Sequence, residues 1–223
     1  MLHLRRGASP KHGFRIVTIT ALTNLVVPYG LTRHLIDAAV AAGLQAGTYV
    51  NSRPSNFKNA CMFRVPHRGA TYAVKLFYNL RLQLTGLKDL ETLEEVANII
   101  AAQLTHAGVP TWLDSDKTKV CLVNYAMDTE MRIGLRDLKG AFDDNPHPQL
   151  RLTSFDSDKR QAVSIKFVVQ GKLVSFSVFE SGKLNISCPC ISDFDEGLDE
   201  IYAIANTYVR SLISMQSFVN AFA

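Results

Sequence analysis

The chain has 223 residues, of which 47% are apolar and 20% charged, and a net charge of +4. That is a globular composition, and it excludes a disordered tail or a low-complexity array. No apolar run approaches the ~18 residues of a membrane-spanning helix, and the opening MLHLRRGASPKHG lacks the apolar stretch expected of a signal peptide.

In chain order, a tail (1–13) precedes a strand expected over Arg15–Thr23 and a helix over Leu31–Ala42. β-rich stretches follow at Cys61–Val65 and Tyr72–Leu76, then a hairpin from Phe77 to Gly86. Thr92-Leu93-Glu94-Glu95 has the capping-box pattern and opens a stripe of Leu93, Val96, Ile100 and Leu104, closed by Gly108 and Pro110. The same succession starts again: a strand over Lys119–Ala126, a short helix near Leu135–Phe142, β-rich stretches at Val163–Val169 and Leu173–Val178, and a hairpin from Phe179. Asp193 then caps a helix carrying Leu198, Ile201, Tyr202, Ala205, Tyr208, Val209 and Leu212. Strand, helix, four strands, helix therefore occurs twice, which predicts an α+β chain of two repeats, 14–112 and 113–223. Charge differs between them. Residues 1–112 hold 12 Lys/Arg against 5 Asp/Glu, a net +7, whereas 113–223 hold 12 against 15, a net −3. The first half is expected to supply more of any attraction to a polyanion.

The hairpins carry the closest likeness. Phe77-Tyr78-Asn79-Leu80-Arg81-Leu82-Gln83-Leu84-Thr85 aligns with Phe179-Glu180-Ser181-Gly182-Lys183-Leu184-Asn185-Ile186-Ser187, matching aromatic, cation, aliphatic, amide and hydroxyl positions. Successive strand residues alternate faces. An odd-membered turn therefore puts Phe77 with Arg81, Gln83 and Thr85, opposite Leu82 and Leu84. It likewise puts Phe179 with Lys183, Asn185 and Ser187, opposite Leu184 and Ile186. The aliphatic face has to be buried against helices. The other face shows an aromatic ring, a cation and short hydrogen-bonding groups twice over, which is the pattern of a binding surface.

These segments resemble the TATA-box-binding protein family. Lys75-Leu76-Phe77 … Leu84-Thr85-Gly86-Leu87-Lys88 and Val178-Phe179-Glu180-Ser181-Gly182-Lys183 are similar to its hairpin signature, and the match of element order covers about residues 14–215. The resemblance implies a saddle: two pseudo-twofold repeats forming one curved antiparallel sheet with helices on the convex face. It also implies a transcription initiation factor that binds and bends A·T-rich promoter DNA through the minor groove, with Phe57, Phe77, Phe155 and Phe179 as wedges. Asn124, Thr85 and Ser187 match its central groove-contacting donors, and Thr18 stands at the first-half asparagine. Thr20 and Ala126 stand at groove-contacting valines. Gln83 and Asn185 replace valines, making the face more polar. Phosphate contacts map to Arg64, Arg68, Arg81, Lys166, Lys172 and Lys183; six would give a log–log salt slope of about −5. Leu80 stands where the family has a turn glycine, so this turn is expected to differ from that at Gly182. The implied partners are A·T-rich double-stranded DNA, IIB-like initiation factors and the polymerase machinery. The divergence suggests a specialised relative, of the kind a large DNA virus encodes, acting in the nucleus or at a cytoplasmic replication site.

Other readings carry less. Four cysteines, Cys61, Cys121, Cys188 and Cys190, are too few and uneven for a disulfide scaffold and favour a reducing intracellular setting. Cys188-Pro189-Cys190 lacks the paired spacing of a zinc knuckle, and His3, His12, His34, His67, His106 and His147 show no ligand spacing. His147 also competes weakly with Phe155 as a wedge. No nucleophile elbow, P-loop or dinucleotide fingerprint occurs, so neither catalysis nor a cofactor or metal is expected. Asp89, Glu91, Glu94 and Glu95, and later Asp193, Asp195, Glu196, Asp199 and Glu200, load two helix starts. Dipole compensation explains them, and altered protein partners would too. The competing reading is a protein-interaction module of the same fold that has lost TATA binding.

Overall fold

The structure, a computed structural model, describes residues 15–28, 33–51, 58–129, 132–144, 146, 148–156, 161–189 and 203. Two compact units emerge. One runs from Thr18 to Leu122; the other takes the chain from Val123 onward together with the start of the first strand. The division falls inside two long strands rather than in a linker.

The first unit contains β1 (Arg15–Val26), α1 (Arg33–Gln45), β2 (Val50–Asn51), β3 (Ala60–His67), β4 (Ala70–Phe77), β5 (Arg81–Leu87) and α2 (Leu90–His106), and ends within β6 (Trp112–Asp128). Its hydrogen-bonded strand order is β2-β3-β4-β5-β1-β6. The second unit continues along β6 with α3 (Leu135–Asp144), β7 (Leu150–Ser154), β8 (Ala162–Val169), β9 (Lys172–Phe179) and β10 (Lys183–Pro189), in the order β6-β10-β9-β8-β7. The repeated element order is present as far as β10. The second long helix expected after Asp193, with its stripe from Leu198 to Leu212, lies outside the described residues.

Burial follows strand parity. Phe63, Val65, Tyr72, Val74, Leu76, Leu82 and Leu84 are buried on one face of the first unit, together with Leu93, Val96, Ile100 and Leu104 of α2. The second unit buries Val163, Ile165, Phe167, Val174, Phe176, Val178, Leu184 and Ile186, with Leu138 and Phe142 of α3. At ~25 cal/mol per Å² of apolar surface, each such side chain favours this register by roughly 1.5–3 kcal/mol over exposure, and a one-residue slip would expose the whole set.

The starts of α2 and β6 differ from the sequence expectation for reasons their contacts show. Helix α2 starts at Leu90, before the expected cap at Thr92. Asp89 is extended (φ −153°) and its carboxylate accepts the Thr92 backbone N–H at 2.8 Å, so Asp89 is the cap and Thr92 sits in the first turn. The far end closes as expected at Gly108 (φ 88°), with Gly108 N–H on the Thr105 carbonyl and Val109 N–H on that of Leu104, a Schellman arrangement. Strand β6 starts at Trp112 rather than Lys119. Its charged opening looks like a loop, but Thr23 holds it: the buried Thr23 hydroxyl donates to the Asp114 carbonyl at 3.4 Å and lies 3.0 Å from the Thr118 hydroxyl.

The hairpin turns also correct an expectation. Leu80 does adopt a left-handed conformation (φ 63°), as Gly182 does (φ 81°). Leu80 N–H reaches the Phe77 carbonyl at 2.9 Å, and Gly182 N–H reaches that of Phe179 at 3.0 Å. Both turns therefore have the same three-residue form. Leucine is driven into it because Leu76 pairs across the hairpin with Leu82, and Val74 with Leu84, and moving any of them would expose the buried row. A left-handed leucine costs about 1–2 kcal/mol, and asparagine tolerates that region better. Leu80→Asn is therefore expected to raise stability by about 0.5–1 kcal/mol in urea unfolding; a loss of stability would show that Leu80 packing outweighs its strain.

Candidate nucleic-acid interface

The face opposite the buried rows assembles side chains that are far apart in sequence. In the first unit, register places Met62, Lys75, Gln83 and Leu22 in one cross-strand row. Arg64, Ala73, Thr85 and Thr20 form the next. Phe77 lies opposite Ala60 at the hairpin end, and Arg81 opposite Asn24. In the second unit, Ser164, Ser177 and Asn185 form a row, Lys166, Ser175 and Ser187 the next, and Phe179 lies opposite Ala162. Phe77 and Phe179 are half-buried and Arg81, Lys183 and Asn185 exposed, while the aliphatic residues between them are buried. The odd-membered turn predicted this division.

Hydroxyl contacts define the internal equivalence. Ser187 donates to Asn124 Oδ1 at 2.7 Å, and the Thr20 hydroxyl meets that of Thr85 at 3.4 Å. Thr85 and Ser187 are counterparts, so Thr20 is the counterpart of Asn124. That corrects the sequence alignment, which set Thr18 against Asn124 and Thr20 against Ala126; it slipped because the two opening strands share no residue pattern. The strand-to-turn contacts agree. Leu25 N–H donates to the Leu80 carbonyl at 2.9 Å, and Thr129 N–H donates to that of Gly182 at 3.1 Å. Thr18 is half-buried on the parity of Thr20, and Ala126 is half-buried on that of Asn124.

Two expected phosphate ligands do not belong to this set. Arg68 occupies the β3–β4 turn at φ 47°, and its guanidinium pairs with Glu95 and, at 3.9 Å, with Glu91 of α2. Beside it, His67 Nε2 lies 2.7 Å from Glu95. Lys172 pairs with buried Val169, on the parity of Val174 and Phe176. Both cations sit at hairpin ends on the helix-side parity, a placement that residue type alone does not reveal. Arg64 and Lys166 do lie on the open parity. Phe57 and His147 lie outside the described residues, as does Cys190. Phe155 is half-buried in irregular chain after β7, beyond the last registered pair, Ser154 with Ser164. Cys188 is a buried core residue.

Sequence reasoning missed Lys75, Met62 and Leu22. The signal is present in the sequence, because each lies an even number of residues from a named member of its strand.

Beneath Phe77, the next residue is tied down. The Tyr78 hydroxyl donates to Asp37 Oδ1 at 2.9 Å, the Cys61 thiol donates to the same oxygen at 3.1 Å, and Arg33 Nε lies 3.5 Å from Oδ2. The Arg33 guanidinium also stacks 4.7 Å over the Tyr78 ring. Partial burial pushes the Asp37 carboxyl upward, but hydrogen bonds from Cys61 and Tyr78 and the Arg33 charge outweigh it, leaving it below its ordinary value. Burial and then the bond to Asp37 push the Cys61 thiol up to about 11, and burial likewise raises Tyr78 to about 12. The counterpart of Tyr78 is Glu180, which pairs with Arg132 at 2.8–3.0 Å, exposed to solvent.

This arrangement defines a class: an antiparallel α+β fold of two like units, each presenting one aromatic, cationic and hydroxyl-bearing face. The fold is that of TATA-box-binding protein. The TBP of Methanococcus jannaschii superimposes with a TM-score of 0.60 at 15% sequence identity, covering 88% of this chain and 98% of that one. No family model and no curated protein matches the sequence itself.

The Asp37 cluster has a definite pH signature. A carboxyl held below its ordinary value adds stability above the unfolded-state pKa and loses it as pH falls through its folded value. Asp37→Asn is therefore expected to be less stable than the parent at pH 7, with the gap closing below about pH 4. The same change removes two influences that raise the Cys61 thiol. Iodoacetamide labelling of Cys61 at pH 8, read by peptide mass, is expected to quicken severalfold. An unchanged rate would remove Asp37 as the cause.

Proposed function

We propose that the chain is a non-catalytic, TATA-box-binding-protein-like transcription initiation factor that binds A·T-rich duplex DNA through the minor groove, bends it and recruits transcription machinery. The observation that carries this reading is the same face built twice: Phe77 with Arg81, Thr85 and Thr20 in one unit, Phe179 with Lys183, Ser187 and Asn124 in the other. An aromatic ring on an uncovered strand end can enter an unstacked base step, and loss of its hydration offsets part of the few kcal/mol that unstacking costs. The minor-groove floor of A·T pairs offers acceptors only, which the hydroxyls and the Asn124 amide suit as donors. Arg64, Arg81, Lys75, Lys166 and Lys183 supply attraction to phosphate. Arg68 and Lys172 are left out of that role. IIB-like factors and polymerase are the partners in this reading, and an intracellular compartment, nuclear or viral cytoplasmic, its setting.

Replacing Phe77 and Phe179 together by alanine is expected to abolish the bend in fluorescence transfer across a TATA duplex while leaving the fold intact by circular dichroism. Unchanged bending would reject the wedge role. Five neutralised phosphates predict a salt slope of about −4.5. Arg81→Ala should reduce it by about 0.9, and Arg68→Ala should leave it unaltered. The second reading, an interaction module without DNA affinity, is favoured by Asp128, which falls on the open parity of Asn124. Absence of salt-sensitive binding in the same titration would establish it over the first.

A further inference from the structure

Phe77 ends β4, and the residue after it is braced from two directions. Tyr78 N–H donates to the Asn59 carbonyl at 3.2 Å, next to Ala60, the cross-strand partner of Phe77. The Tyr78 hydroxyl donates to Asp37 Oδ1 at 2.9 Å, and the Cys61 thiol donates to the same oxygen at 3.1 Å. Asp37 stands on α1 and Cys61 on β3, so helix, strand and hairpin turn meet at one carboxylate. Tyr78 is thereby held at its backbone and at the tip of its ring, and Phe77 shares a peptide bond with it. In the second unit the residue after Phe179 has a backbone brace too, from Ile133 N–H to the Glu180 carbonyl at 2.9 Å. Its side-chain brace is of another kind: Glu180 pairs with Arg132 at 2.8 Å, both exposed to solvent. Dissolved salt screens such a pair. The hydrogen bonds onto Asp37 come from neutral donors and are partly buried, so screening has little hold on them. A ring that enters a base step has to keep its direction against the cost of unstacking, and order already present in the free protein need not be supplied on binding.

We infer that Asp37 is the positioning residue of the Phe77 wedge, acting through the Tyr78 hydroxyl. The Phe179 wedge, held at the matching place by a solvated ion pair, is the one that yields to salt. The inference rests on the minor-groove reading above and deepens it, because it assigns the two ends of the bent site different resistance to ionic strength. Asp37 needs no contact with DNA for this; its effect passes through Tyr78 to the neighbouring ring.

The full chain is bound to a TATA duplex carrying aminopurine, a fluorescent adenine analogue that brightens when unstacked, at the base step at each end of the site. Anisotropy gives the bound fraction, so that brightening is read per complex, and circular dichroism checks the fold of each variant. Phe179→Ala leaves the Phe77 wedge to be read, and Phe77→Ala leaves the Phe179 wedge. In the Phe179→Ala protein, Tyr78→Phe, which keeps the ring beneath Arg33, is expected to lower the signal at least about twofold. In the Phe77→Ala protein the same change is expected to leave it unaltered. Asp37→Ala should match Tyr78→Phe, and the two together should lose no more than either alone. Raising salt from about 50 to about 300 mM should dim the Phe77→Ala complex at least about twofold and leave the Phe179→Ala complex nearly constant. Equal losses in both backgrounds overturn the inference, because a merely structural residue would cause them. Additive losses, no loss in either background, or an equal response of the two complexes to salt overturn it as well. If Asp37→Ala does not fold, Tyr78→Phe and the salt series decide. A parent protein that binds without brightening aminopurine, or does not bind, overturns the wedge reading and this inference with it. With the parent's brightening present, the other outcomes remove only the role of Asp37 and the unequal salt response.

Discussion

Burial on one side of each strand is the constraint from which the remaining features follow. Leu76, Leu82 and Leu84 in one unit, and Val178, Leu184 and Ile186 in the other, are 4% exposed or less. Because side chains alternate, fixing these positions fixes every residue between them on the opposite face. Phe77 and Phe179 are outward because their neighbours have to be inward, and a rotation of either strand would exchange a buried aliphatic row for a polar one. The same force holds Leu80 in a left-handed turn that its side chain disfavours, so strain at the tip is sustained by packing in the stem.

The two hairpin tips are then secured by different means. Tyr78 is bound to Asp37, a carboxylate that also accepts from Cys61 and pairs with Arg33. Glu180 is bound by Arg132 in an ion pair whose partners are 59% and 83% exposed. A solvated pair of this kind contributes little and is screened by salt, whereas the Tyr78 hydrogen bond is partly shielded and not screened in the same way. Each tip also takes two backbone hydrogen bonds: Leu25 N–H to the Leu80 carbonyl and Tyr78 N–H to that of Asn59 in one, Ile133 N–H to the Glu180 carbonyl and Thr129 N–H to that of Gly182 in the other, where the Thr129 hydroxyl adds a further bond. The tips thus share their backbone ties and differ in how far their side-chain ties are shielded from solvent.

Much of this was legible in the sequence because it depends on period-two patterning. The repeated element order, the buried rows and the side on which Phe77, Arg81, Gln83 and Thr85 fall all follow from alternation. Features set by tertiary contact were not legible. Nothing local distinguishes Arg64, on the open parity, from Arg68, whose guanidinium is taken by Glu91 and Glu95. Nothing local says that Asp89 rather than Thr92 caps α2, since both residue types cap well. The pairing of Thr20 with Asn124 came only from their shared relation to Thr85 and Ser187, and the charged start of β6 became a strand because a distant threonine reaches it.

The acidic start of α2 changes meaning in the same light. From sequence, Asp89, Glu91, Glu94 and Glu95 form a single block of charge facing a helix dipole or a partner. In the structure they divide by task. Asp89 is 5% exposed and spends its carboxylate on the Thr92 amide. Glu95 meets His67 and Arg68, and Glu91 meets Arg68, tying α2 to the β3–β4 hairpin. These acids therefore pair with Arg68, an arginine that residue type alone would have assigned to the open face. The strongly positive first half and its acidic helix are consistent once the charges are sorted by side: cations such as Arg64, Lys75 and Arg81 on the open parity, and paired acids beside the helix. Net charge along the sequence thus understates the positive character of the open face, because parity separates what composition averages.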